Sequence, residues 1–123
     1  MKTLAALAVA ALLAAAPTFA HNDHTKPRHG GAVADAVDFQ AELVAQPDRL
    51  TLYIREHGNP LATAGGTAKL TLLAAGKKTE VALPPAGDNR FEAQGSFAAK
   101  GAKAIATVQL PGKPAKTLRY ALD

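Results

Sequence analysis

The side chains able to do chemistry in this sequence are few, and most of them stand close together. Four histidines occupy positions 21, 24, 29 and 57. Three form the series His21-x2-His24-x4-His29, with Asp23 inside it. Imidazole and carboxylate are the usual ligands of Zn(II), Cu(II), Ni(II) and Co(II), and such ions need two to four of these groups to converge. The chain has no cysteine, and its single methionine is Met1. Disulfide scaffolds, thiol enzymes, iron–sulfur clusters and cysteine zinc sites are therefore excluded. Soft sulfur ligands that select Cu(I) are also missing, so a bound metal is expected to be a borderline divalent ion, Cu(II) or Zn(II) first. Ser96 is the only serine, and no paired-carboxylate, phosphate-loop or dinucleotide pattern is present. An enzyme is not expected.

Each histidine carries a plain reading beside the chemical one. If the chain is cut before His21, the new α-amine and the His21 imidazole can together chelate one Cu(II); otherwise His21 and His24 are a solvated polar leader. His29 precedes Gly30-Gly31, where the chain enters its first strand, and His57 lies in the turn Arg55-Glu56-His57-Gly58-Asn59-Pro60. Two such loop-edge histidines can meet at one end of a sheet structure, with Glu42 or Glu56 as a third ligand. The alternative is two exposed turn histidines and two solvent-facing strand glutamates.

The elements that must position these residues begin after an export signal. Lys2 gives a positive start, Leu4 to Ala16 is an uncharged apolar run, and Pro17 breaks it. Thr18 and Ala20 supply small residues at −3 and −1 of a cut after Ala20. The run is shorter than the ~20 residues of a membrane helix. Residues 1–20 are read as a cleaved signal peptide, 21–29 as a flexible histidine-containing leader, and 30–123 as one folded domain. The mature protein is expected in the periplasm, with no integral membrane segment.

Beyond Gly31 the apolar residues alternate. Val37, Phe39, Ala41 and Leu43 fall on one face, as do Leu50, Leu52 and Ile54, and the theme returns at 69–73, 79–83, 104–110 and 117–122. Period-two alternation means strands with one buried face. Turn signals separate them, among them Gln46-Pro47-Asp48, Ala75-Gly76-Lys77 and Pro111-Gly112-Lys113-Pro114. Seven or eight short antiparallel strands in one small domain predict an all-β, immunoglobulin-like sandwich. The alanine-rich stretch 98–106 is interrupted by Gly101 and preceded by Gly95, which favours strand over helix.

Charge is uneven along the chain, whose formal net charge is +4. Acids outnumber bases in residues 21–60, whereas Arg90, Lys100, Lys103, Lys113, Lys116 and Arg119 make the last third basic. Ordinary solubilising charge accounts for this; a basic flank could also meet anionic lipid or an acidic partner. Nucleic acid is not expected, because interleaved aromatics are lacking.

The stretches His29-Gly30-Gly31-Ala32-Val33-Ala34-Asp35-Ala36, Phe39-Gln40-Ala41-Glu42-Leu43-Val44 and Leu52-Tyr53-Ile54-Arg55-Glu56-His57-Gly58-Asn59-Pro60-Leu61 carry a family resemblance. So do Ala68-Lys69-Leu70-Thr71-Leu72-Leu73 and the segment from Gly76 through Phe91. The chain resembles small periplasmic proteins, and the N-terminal extension of periplasmic adaptor subunits, associated with heavy-metal efflux pumps of the resistance-nodulation-division class. The resemblance implies a β-sandwich working near metal export, with His29, Glu42 and His57 on recurring motif positions. It also implies an efflux-system adaptor or another envelope protein as partner. The adaptor's hairpin, lipoyl and barrel domains are absent, which leaves metal buffering or delivery. A metal-free module that docks on an envelope complex through strand edges or the basic C-terminal region is the competing expectation.

Overall fold

A computed structural model describes residues 26–123; the expected signal peptide, His21 and His24 lie outside the described residues. Strands β1 (Ala32–Asp35), β2 (Gln40–Gln46) and β3 (Arg49–Glu56) follow one another in a first sheet. The far edge of β3 is shared by the two-residue β4 (Asn59–Pro60) and by β7 (Arg90–Gln94). The second sheet runs β6 (Lys77–Leu83), β5 (Thr67–Ala74), β8 (Lys103–Gln109) and β9 (Lys116–Ala121). Every pairing is antiparallel. This is the all-β sandwich that the alternation foretold.

Register shows why the pattern works. Leu43, Leu52 and Phe91 stand opposite one another across β2, β3 and β7, and Leu70, Ala106 and Leu118 do the same across β5, β8 and β9. These inward rows are buried against each other, and each fully buried large apolar side chain contributes about 1.5–3 kcal/mol. The Tyr120 hydroxyl crosses between the sheets and donates to the Ala41 carbonyl at 2.9 Å. Burial pushes its pKa upward.

Two strands escape the sequence pattern. The expected strand over 37–44 begins only at Gln40, and Val37 does not join Phe39, Ala41 and Leu43 in the core. Val37 is 83% exposed with φ of 73°, in a turn closed by its own N–H bonded to Asp35 Oδ1. That reversal makes β1 a separate strand, and no glycine marks it. Strand β7 was equally unannounced, because it lies in the short interval between two glycine-containing turns. In the alanine-rich stretch, the chain loops until Ala102 and then enters β8 as a strand. Among the described residues, no helix is long and apolar enough to cross a membrane.

Candidate histidine–carboxylate site

The outward row of the first sheet contains Val33, Glu42, Tyr53 and Arg90, one residue from each of four strands. The next row brings Gln40 opposite Arg55. On a plain sandwich these side chains would face water. Here residues 26–31 bond to Glu42 and Arg55, which are 1% and 2% exposed.

The Glu42 carboxylate holds this covering segment in place. Its Oε2 accepts from the backbone N–H of His29 and of Gly31, both at 2.8 Å. Its Oε1 accepts from the N–H of Arg28 at 2.9 Å and from Arg55 Nη1 at 3.4 Å. His29 Nδ1 is a further partner of Oε1, at 3.2 Å. Burial raises the Glu42 pKa, but the backbone donors of Arg28, Gly31 and His29, with the His29 ring, outweigh it and hold the carboxyl below the ordinary glutamate value. Two side-chain clasps add to this. Arg28 Nη1 donates to the Gly58 carbonyl at 2.6 Å, and Arg55 Nη2 donates to the Lys26 carbonyl at 3.0 Å.

The two glycines allow the N–H groups to converge. Gly30 has φ of +76°, a left-handed conformation that costs other residues about 1–2 kcal/mol. A Cβ on Gly31 would sit 2.3 Å from the Leu43 carbonyl oxygen. The His-Gly-Gly sequence is thus a docking device, with its backbone serving the carboxylate.

The His29 ring stacks on Tyr53 with centroids 3.7 Å apart and planes 5° from parallel. An ionised carboxylate can only accept, so Nδ1 carries a proton, and the tautomer that meets this bond has its lone pair on Nε2. That nitrogen has no hydrogen-bond partner among the described residues, and the His29 side chain is 41% exposed.

Of the expected site residues, the structure brings His29 and Glu42 into direct contact. The lone pairs of Glu42 are occupied by five donors, so it orients His29 and is not an open ligand. His57 sits in the β3–β4 turn with φ of 51°. Among the described residues, no group of three or more His, Asp or Glu gathers in a way that could hold a metal ion; His57 and Glu56 do not complete such a group with His29 and Glu42. The folded unit also starts earlier than position 30, because residues 26–29 are bound down by Arg55, Arg28 and Glu42.

Sequence reasoning passed over Arg55, Tyr53 and Arg28. The first two alternate with the inward Leu52 and Ile54 along β3. A signal did exist: the tight turn at Pro47-Asp48 fixes the hairpin register, and counting back from it puts Glu42 opposite Tyr53 and Gln40 opposite Arg55.

No protein-family model matches this chain, and no curated protein matches it. Among solved structures it is similar to the crystal structure of a Br derivative of BhCBM56, at 12% identity and a TM-score of 0.43, over 75% of this chain and 99% of that one.

Proposed function

We propose that the chain is an exported protein that captures a divalent ion, Cu(II) or Zn(II), in the periplasm and buffers it or hands it to a metal-efflux system. One observation carries this reading: the His29 ring is fixed by Glu42 on one nitrogen and by Tyr53 on one face, with Nε2 left to bind. A carboxylate behind a ligating imidazole sets its tautomer, holds its orientation and raises its basicity, and such partners are worth about 10–100-fold in metal affinity.

One imidazole is not a site. The remaining donors in this reading are His21, Asp23 and His24, joined by the α-amine if cleavage follows Ala20. His24 is five residues from His29, a reach of up to ~17 Å of extended chain. The docked segment 26–31 then serves as the root of a short metal-binding arm. Because imidazole ligands must be unprotonated, capture releases protons and weakens in acid.

The test is calorimetric titration with Zn(II) and Cu(II) of protein recovered from the periplasm, its N-terminus established by mass. The expected result is one stoichiometric site of micromolar or tighter affinity. His29→Ala, or removal of residues 21–25, should lower that affinity at least tenfold, and His57→Ala should leave it unchanged. Heats equal to buffer for both ions would reject the proposal, and so would undiminished affinity in His29→Ala.

A further inference from the structure

The outward face of the second sheet is unlike the rest of the surface. Its central rows run Lys78–Leu73–Lys103 and Glu80–Thr71–Ile105–Arg119, across β6, β5, β8 and β9. Lys69 lies one row further on, between Ala82 and Thr107. Four cations therefore share the face with a single carboxylate, Glu80, whose partner is Lys69 at 3.8 Å. All four are exposed, and Leu73, flanked by Lys78 and Lys103, is 38% exposed. No described segment covers this face.

Two ordinary explanations fall short. Lysine on an edge strand discourages edge-to-edge pairing, which accounts for Lys78 on β6. It does not account for Lys69 and Lys103, which stand on the interior strands β5 and β8. A self-neutralised surface would need counter-charges, as the first sheet has in Arg49–Glu92 and Arg90–Glu92.

We infer that this face docks on an anionic lipid bilayer. Its shape and chemistry favour a bilayer over an acidic polypeptide. Strand register sets Lys69, Leu73, Lys78, Lys103 and Arg119 side by side on one sheet face, and they line neither the cavity beside Gly31, Leu43 and Phe97 nor the one beside Leu72, Thr79 and Ser96. Three of the four cations are lysines, compact point charges on flexible stems that suit a diffuse array of phosphates better than the paired geometry of carboxylates. Lys78 and Lys103 flank Leu73 across two strand spacings, about 10 Å apart at the backbone. The leucine side chain is thereby placed to enter the headgroup layer while both ammonium groups meet phosphate. Each basic residue near such a surface adds about 1 kcal/mol, roughly fivefold in affinity.

The experiment is co-sedimentation of the exported protein with phosphatidylglycerol–phosphatidylcholine vesicles and with pure phosphatidylcholine vesicles. Binding is expected only to the anionic vesicles, falling at least tenfold when sodium chloride is raised from 50 to 300 mM. The pair Lys78→Glu/Lys103→Glu should lower binding at least tenfold, and Lys78→Gln/Lys103→Gln by a smaller factor. Thermal melting of both pairs, expected to match the parent, confirms folding. Undiminished binding by both pairs would overturn the inference, as would binding to neither vesicle. Retention on immobilised polyglutamate without vesicle binding would also overturn it and assign the face to an acidic polypeptide.

Discussion

The two sheets use the same alternation and put their outward residues to opposite uses. In the first, Gln40, Glu42, Thr51 and Arg55 point away from the core and are nevertheless buried. In the second, the equivalent positions Lys69, Leu73, Lys78, Lys103 and Arg119 are exposed. Strand composition does not decide between these outcomes; both rows are polar or mixed. For Glu42 and Arg55 the difference is the segment 26–31, whose convergent N–H groups turn an outward glutamate into an internal anchor. An outward polar row becomes structural when a flanking segment brings it donors, and stays a surface when nothing does.

The sharpest way to break this contrast is to remove its anchor. Glu42→Ala leaves the Arg55 guanidinium buried beside three N–H groups without their acceptor. Deleting one member of a buried pair costs about 3–5 kcal/mol, and urea unfolding should register a loss of that size. Lys103→Ala on the other sheet should stay within about 0.5 kcal/mol. Equal effects from the two variants would erase the distinction.

Acid sharpens the same contrast. Glu42 has a depressed pKa in the folded state, so its contribution is fully present above the ordinary glutamate value near ~4.3 and is lost as pH falls through the folded value. Unfolding free energy should therefore decline below about pH 4.3, and Glu42→Gln should flatten that limb. An unchanged acid limb in the variant would place the titrating group elsewhere.

The glycines come next. Gly31→Ala forces a Cβ against the Leu43 carbonyl and should cost about 1–3 kcal/mol by thermal or urea unfolding. Gly30→Ala meets open space and incurs only the left-handed backbone cost, about 1–2 kcal/mol. The smallest change concerns the turn that begins β2. Val37 is a β-branched residue at φ of 73°, and Val37→Asn should stabilise the protein by about 1 kcal/mol, read as a rise in Tm.

The fold was largely legible because alternation reports which side of a strand is buried, and it did so correctly for Leu50, Leu52 and Ile54 and for the second sheet. It failed at Val37, where a turn built from side-chain and backbone hydrogen bonds interrupts the alternation without a glycine to announce it. The site was legible only as a list of residue types. His29 and Glu42 were singled out as ligands to one ion, yet a local sequence cannot say that three N–H groups from 28–31 will converge on a carboxylate eleven or more residues away. Arg55 and Tyr53 were hidden by the same rule that found the core, since outward positions read as solvated until something covers them.

The central claim is that His29 is held by Glu42 through Nδ1 so that Nε2 can take a metal. Nitrogen-15 NMR of the imidazole side chains, recorded during a Zn(II) titration of the protein near neutral pH, tests it directly. The metal-free spectrum should show His29 as the Nδ1–H tautomer, and zinc should shift its Nε2 resonance while Nδ1 keeps its proton. An Nε2–H tautomer in the free protein, or zinc shifts confined to His57, would contradict it.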